Sequence, residues 1–316
     1  MYAMRPHRTN GLIGGEQAME LPGVHDAADQ ASGTGQRTYL ALSAIRLISL
    51  LVAALAGAIA IIASQGQWLG WIMLAAFFAA GVSEVLLITL QPERAWYAGR
   101  AIAESTKTLA WRYAVGGEPF PLTLDDDQAG SLLRMRISQV LDKGRDRLDL
   151  SSKPLVVTAS MKGLRSSSFD VRREVYLASR TKDQREWYSS KARSNAKWAT
   201  AGRYALLVGE FGAVVAAALA LQADRLIDFA GIIAALVASG AAWLAIKQHS
   251  QLTSAYRVAA VELALQEETL AAIVPEKWAQ AVADAEEAIS REHTMWLASR
   301  GNERVPGATT RAEEDG

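Results

Sequence analysis

Three charged side chains fall inside long apolar runs of the sequence: Arg46, Glu84 and Glu210. A charge near the centre of a bilayer costs about 2.5–3.5 kcal/mol on insertion scales, so such residues face an ionic partner or water. Two interpretations follow. Either Glu84 and Glu210 line a cation-attracting passage in an oligomer, or Arg46 extends to the interface and both carboxyl groups are protonated or paired with Arg46 or Arg203 between packed helices.

The two carboxylates have matching positions along their runs. Glu84 lies seven residues before Gln91, and Glu210 lies seven residues after Arg203. At 1.5 Å of helical rise per residue, each is roughly 10 Å below the cytoplasmic boundary. This spacing predicts a single layer of intramembrane carboxyl groups.

No other constellation in the sequence has the form of an active site. The four histidines, His7, His25, His249 and His293, are scattered, and the chain has no cysteine, which excludes disulfides and thiolate chemistry. The acidic run 125–127 is explained as the cap of a helix N-terminus. We therefore predict a protein that is not an enzyme, without a metal site or cofactor.

The apolar runs that carry these charges are long enough to cross a membrane. They comprise residues 47–63, 68–90, 204–221 and 226–246, and they form two pairs, each joined by a short turn. About 20 helical residues cross a hydrocarbon core of about 30 Å, and runs without strand-like alternation cross it as helices. The fold class predicted is an all-α membrane protein with two transmembrane hairpins, four spans and long cytoplasmic helical extensions.

The distribution of charge predicts the orientation of the spans. Residues 92–203 contain 21 Lys and Arg against 13 Asp and Glu, whereas the two short turns carry little charge. By the positive-inside rule, the turns face outward and both termini lie in the cytoplasm of a multi-pass inner (plasma) membrane protein. The basic middle segment suits contact with anionic membrane lipid, and no nucleic-acid-binding motif accompanies it.

Small residues recur at every fourth position of the spans, which favours close helix packing either within one subunit or between subunits. A homo-oligomer is the expected assembly. Outside the spans, aromatic residues at helical spacing predict packing between cytoplasmic helices; these residues are Trp96, Trp111, Trp187, Tyr188, Trp278 and Trp296.

Five segments follow from these patterns. Residues 1–38 are predicted to be a disordered tail, 39–150 the first hairpin with cytoplasmic helices, and 151–168 a loop. Residues 169–300 are predicted to be a stalk helix, the second hairpin and C-terminal cytoplasmic helices, and 301–316 a second disordered tail.

Several motifs resemble a known family. The motifs are RAWYAGR at 94–100, ESTKTLAWRYA at 104–114, DQREWY at 183–188 and EAISREHTMW at 287–296. With them the chain resembles the SLATT superfamily, the SMODS- and SLOG-associating two-transmembrane effector domains, as two copies in tandem.

This resemblance implies a bacterial membrane effector of an anti-phage or nucleotide-signalling conflict system. Such an effector is expected to oligomerise and to form a pore or disrupt the inner membrane when activated. A nucleotide second messenger or a separate sensor protein is the expected trigger. The alternative is a membrane-anchored helical scaffold or sensor subunit without pore activity, in which the hairpins only tether the cytoplasmic helices.

Overall fold

Helices make up the whole of the regular structure in the described part of the chain. The computed structural model describes residues 19–60, 66–142, 156–221 and 229–301, with side chains of the last helix described through Ile289. The helices are α1 Gly23–Ala60, α2 Gln67–Leu90, α3 Pro92–Val115, α4 Asp126–Asp142, α5 Ala159–Ser166, α6 Phe169–Tyr176, a π-helical segment Leu177–Lys182, α7 Asp183–Ala220, α8 Phe229–Lys247, α9 His249–Ala271 and α10 Pro275–Gly301.

Four of these helical stretches are long and apolar enough to cross a membrane. They are α1, α2 with its continuation α3, the stretch from α6 to α7, and α8 with its continuation α9. The prediction of an all-α membrane protein with two hairpins is confirmed.

The two hairpins are built on one plan. We call α1–α3 the first repeat and α7–α9 the second repeat. Each begins with a helix of 38 residues, and this long helix packs both against the span that returns across the membrane and against the helix that follows that span. The chain is therefore an architectural duplication.

A single glutamine separates the returning span from the next helix in both repeats. Gln91 has φ 44°, and Gln248 has φ 51°, both in the left-handed region. Pro92 predicts a helix interruption in the first repeat. After Ile246 the sequence contains no helix-breaking residue, so one continuous helix is expected there, and the interruption at Gln248 differs from that expectation. Because left-handed backbone disfavours a non-glycine residue by about 1–2 kcal/mol, packing of the long helix against both neighbours must hold these bends.

Part of the predicted N-terminal tail is helical. Helix α1 begins at Gly23, so the prediction of disorder is wrong for residues 23–38, while residues 1–18 lie outside the described part. Gly35 and Gly99 explain the difference, because each lies against backbone of the facing helix: a Cβ on Gly35 would be 2.6 Å from the nitrogen of Trp96. Close packing on α3 thus overrides the weak helix propensity of this segment.

The predicted loop 151–168 also contains a helix. Thr158 caps α5 by accepting a hydrogen bond from the nitrogen of Met161, and Met161 and Leu164 are buried. The guanidinium of Arg165 donates to four backbone carbonyl oxygens in the segment 113–124. These tertiary contacts stabilise a helix of eight residues that has little stability alone. Residues 151–155 lie outside the described part.

The stalk that leads to the third span is helical throughout. It runs from Phe169 to Ala220 and contains the π-helical segment 177–182, which no pattern in the sequence predicts. Of the predicted C-terminal tail 301–316, only Gly301 is described, as the last residue of α10.

The principal buried core lies outside the membrane-spanning segments. It joins the beginning of α1 with α3, α4, α5, α6 and α10. In contrast, no residue of α8 is buried, and the apolar windows of α7 and α8 have no buried share. Outside the α7–α8 contact, the exposed side chains of the second hairpin therefore face lipid or further protein.

Candidate functional site

The first intramembrane site is an ion pair between the two helices of the first hairpin. Arg46 of α1 donates through Nη1 to Oε2 of Glu84 on α2. The pair remains accessible, with 34% of the Arg46 side chain and 46% of the Glu84 side chain exposed. Pairing, one of the two interpretations of Glu84, is thus present in this structure.

Glu210 is separate from that pair. It lies on an exposed face of α7, beside the exposed apolar side chains of Leu207, Phe211 and Val214. Among the described residues it makes no hydrogen bond or ion pair, so it is paired with neither Arg46 nor Arg203. The structure therefore does not bring the three predicted residues into one cluster within a single chain.

A second polar site lies in the buried core outside the spans, and sequence reasoning missed it. Arg180 and Glu286 are both fully buried; Nε of Arg180 lies 2.8 Å from Oε1 of Glu286, and Nη2 lies 2.6 Å from Oε2. Thr108 and Tyr176 donate their hydroxyl hydrogens to the same carboxylate, each at 2.9 Å. The carboxylate thus binds α3, α6 and the π-helical segment to α10.

Electrostatics in this cluster follow from burial and close opposite charge. Burial alone lowers the pKa of Arg180, but the Glu286 carboxylate outweighs it, and the pKa is raised. Burial, followed by the charge of Glu286, raises the pKa of Tyr176 well above its ordinary value. Removing one partner of a buried ion pair leaves the other charge unpaired, which typically costs about 3–5 kcal/mol.

Lys107 is a buried cation beside this cluster. Burial, and next the positive charge of Arg180, lower the pKa of Lys107 to about 8. Its surroundings also contain Glu104, Arg100 and Glu286. The buried network therefore holds more cationic groups than carboxylates.

Helix α10 completes the core around α3. Trp278 donates its indole N–H to the carbonyl oxygen of Val115 at 2.8 Å, and Arg112 donates to the carbonyl oxygen of Ala283 at 2.9 Å. The nitrogen of Glu118 donates to the carbonyl oxygen of Ala279. The C-terminal helix is thus an integral part of the bundle that follows the first hairpin.

The predicted aromatic residues occupy several contacts between helices. Trp111 packs edge-on against Tyr176, and Trp278 packs against both Tyr176 and Phe169. The others lie as follows: Trp96 beside Tyr39 and Tyr97, Trp187 and Tyr188 against Tyr256 of α9, and Trp296 within α10 but with its side chain outside the described part.

Sequence signals for the buried ion pair exist but are weak. Tyr176 and Arg180 are four residues apart, as are Val282 and Glu286, so each pair shares a helix face. A charged residue on an otherwise apolar face is more often solvated, and only tertiary contact brings these two faces together. Within the described ranges, no group of three or more His, Asp or Glu residues could hold a metal ion.

Fold and polar sites together define a multi-pass α-helical membrane protein built from two two-span repeats whose helices outside the spans interlock. Residues 22–173 match the family SMODS and SLOG-associating 2TM effector domain 3, and residues 176–296 match SMODS and SLOG-associating 2TM effector domain 1. The chain therefore belongs to the SLATT superfamily and carries two of its effector domains in tandem, as the sequence motifs predicted.

The boundary between the two matches falls in the stalk. Residues 173 and 176 both belong to α6, which continues through the π-helical segment into α7. The buried Arg180–Glu286 pair belongs to the second matched domain, whereas Thr108 belongs to the first, so the cluster links the two domains. Neither a curated protein nor a solved structure matches the chain.

Proposed function

We propose that this protein is the membrane effector of a bacterial anti-phage or nucleotide-signalling conflict system, and that on activation it oligomerises and forms a pore or otherwise disrupts the inner membrane. The observation that carries the proposal is the tandem pair of effector domains, each contributing one transmembrane hairpin. Its action is physical permeabilisation of lipid and involves no catalysis, metal or cofactor.

Unsatisfied polarity within the spans supports association. Glu210 faces outward among apolar side chains without a partner in the described part of the chain, and the Arg46–Glu84 pair is only partly covered. Hydrocarbon cannot hydrogen-bond to these groups, so contact with another subunit or with water in a passage lowers their free energy.

The inner membrane, with both termini in the cytoplasm, is the location we propose. The basic segment after the first hairpin forms the interlocked helical bundle, and its surplus of Lys and Arg favours the cytoplasmic face. In this orientation the bundle is the part that a nucleotide second messenger or a separate sensor protein would reach.

Transmission to the membrane has a physical route through the stalk. Arg180 lies in the π-helical segment, one turn before α7 becomes regular α-helix, and it is bound by Glu286 of α10. A ligand that favours a different placement of α10 would thereby bias the placement of α7. π-Helical turns within helices occur often at functional sites.

The test is inducible expression in a bacterial host that also carries the genomic neighbours, with phage infection as the trigger. A membrane-potential dye reports depolarisation, and an impermeant DNA stain reports loss of the permeability barrier. We expect depolarisation after the trigger, and altered permeability when Glu84 and Glu210 are both replaced by Gln. Glu268→Gln, an identical change on the exposed surface of α9, is the matched control. Unchanged permeability of the native protein under every trigger contradicts the pore.

A scaffold or sensor role without pore activity is the second candidate, because the principal buried core lies in the cytoplasmic bundle. In that case the hairpins only tether the bundle. Replacing all four spans with unrelated transmembrane helices distinguishes the two: preserved phage protection favours the scaffold, and lost protection with a folded bundle favours the effector pore.

A further inference from the structure

The four spans form an open row. Helix α1 contacts both α2 and α8, and α8 contacts α7, whereas α7 makes no extensive contact with α1 or α2 among the described residues. The order across the membrane is thus α2, α1, α8, α7. Helix α2 lies at one end of the row and α7 lies at the other.

The α7 end carries an unpaired acceptor. Glu210 lies on a face whose neighbours Leu207, Phe211 and Val214 are 59%, 70% and 65% exposed. A carboxylate on such a face requires hydrogen-bond donors, and lipid tails have none. Whatever covers this face in the membrane must therefore offer a donor at the depth of Glu210.

The pair of helices α2 and α1, at the opposite side of the row, offers that donor on α1. The guanidinium of Arg46 carries five N–H donors and uses one for Glu84 in this structure, and both side chains are partly exposed. Because Glu84 and Glu210 lie the same number of residues from the cytoplasmic ends of their spans, the Arg46–Glu84 pair and Glu210 are at matching depths.

We propose that the Glu210 face of α7 is an interface for a second copy of this chain, and that Glu210 accepts hydrogen bonds from Arg46 of that copy's first hairpin. The inference rests on the proposed oligomeric effector and specifies the contact between its subunits. One guanidinium then bridges two carboxylates, Glu84 of its own chain and Glu210 of the neighbour.

The geometry of this contact has a consequence for the assembly. Two different surfaces meet, α7 of one copy and α1–α2 of the next, so the contact is heterologous and can repeat from subunit to subunit. It forms a ring where the rotation between neighbours closes. With both carboxylates ionised, each subunit contributes one cation and two anions to the same layer. The ring therefore has net negative charge at this depth.

Disulfide crosslinking in the membrane tests the interface, and the absence of cysteine from the native chain makes it unambiguous. Ile88→Cys and Leu207→Cys are each about one helical turn on the cytoplasmic side of Glu84 and Glu210. Phe77→Cys and Ala217→Cys are each seven residues toward the outer face. Each matched pair is co-expressed as two single-cysteine chains with different tags and then oxidised.

We expect a disulfide between the two differently tagged chains for both matched pairs. Glu210→Gln should reduce the yield about tenfold, the loss typical of one charge-assisted hydrogen bond, whereas Glu268→Gln should leave it unchanged. No crosslink from either pair overturns the proposal. Predominant Leu207→Cys homodimers, which indicate a symmetric α7–α7 contact, also overturn it, as does an unchanged yield in Glu210→Gln.

The same membranes separate this proposal from the proposed function. Crosslinking at the expected yield without any triggered change in permeability supports the interface and contradicts the pore. Triggered permeability without either crosslink supports the pore and contradicts this interface.

Discussion

At the scale of single residues, the helical bundle outside the spans is defined by charges that it buries. Lys107 shows how such a group responds to its surroundings, since it is 5% exposed and lies near Arg180, Glu104, Arg100 and Glu286. Both carboxylates favour its charged form. Burial and the two guanidinium groups oppose that form more strongly, and the pKa falls to about 8 from an ordinary value of 10.5.

Replacing Lys107 with Met should stabilise the protein at neutral pH. Below pH 8 the lysine is charged in both the folded and the unfolded chain, so its full burial cost applies, about 3 kcal/mol for this pKa difference. Between pH 8 and 10.5 the unfolded chain binds more protons, and stability of the native protein rises with pH through this group. Thermal unfolding of both proteins in detergent at pH 7 and pH 10 measures the difference.

Lys162→Met is the matched control, because Lys162 is exposed on α5. At pH 7 we expect the Lys107→Met protein to have a higher unfolding midpoint than the native protein. At pH 10 we expect the midpoints of these two proteins to converge, and Lys162→Met should match the native protein at both pH values. A pH 7 midpoint below that of the native protein would mean that Lys107 stabilises the bundle as a charged group.

At the scale of elements, each repeat depends on one long helix that packs on two shorter ones. In the first repeat, α1 and α3 approach so closely that Gly35 and Gly99 each lie against the backbone of the other helix. Ser32 donates its hydroxyl hydrogen to the carbonyl oxygen of Trp96 at 3.0 Å and fixes the register. Gln91, with its left-handed backbone, marks the junction from which α3 continues antiparallel along α1 beyond α2.

Gly35→Ala and Gly99→Ala should each destabilise the first repeat. A Cβ at Gly35 would be 2.6 Å from the nitrogen of Trp96, and one at Gly99 would be 2.8 Å from the carbonyl oxygen of Ala28, so the helices must separate. Overpacking of this kind costs typically about 1–3 kcal/mol. Limited proteolysis of the purified protein measures this loss of stability. The readout is the rate of cleavage near the N-terminus, which should rise in both variants.

Gly33→Ala separates steric effects from helix propensity. Gly33 lies in α1, and a Cβ there would contact nothing within 4 Å. This change should slow cleavage, because alanine favours a helix interior by about 1 kcal/mol over glycine. Equal cleavage rates in all three variants would indicate that α1 does not pack on α3 in solution.

At the scale of the whole molecule, the two effector domains are not independent units. Helix α10 belongs to the second match but completes the core of the first, and the Glu286 carboxylate joins α10 to α3 and the stalk. A displacement of the bundle is therefore shared by both hairpins.

This arrangement requires the bundle segments to lie on one side of the membrane. Single cysteines at Ser131 in α4 and Glu276 in α10, both exposed, should resist an impermeant maleimide applied to spheroplasts, whereas one at the exposed Gln67, the first residue of α2, should react. Lysis before labelling is the control and should make all three reactive. Labelling of only one of the two bundle positions in intact spheroplasts would contradict the topology.

The sequence alone determines the membrane class, the two hairpins and the superfamily. Long apolar runs have few physical outcomes, because backbone in hydrocarbon must satisfy its own hydrogen bonds, and helices do this locally. The motifs around Trp96 and Trp187 are likewise local strings that are read without tertiary information. The two carboxylates Glu84 and Glu210 were also identifiable, because a charge within an apolar run is conspicuous.

Only the tertiary structure determined which segments distant in sequence pack against each other. The helix over residues 23–38, the short helix α5, the bend at Gln248 and the buried Arg180–Glu286 pair all depend on contacts between residues distant in sequence. Their local patterns are weak or indicate disorder, loop or solvated charge. Such segments gain their free energy from packing on another element, and a pattern along one stretch of chain does not contain the partner.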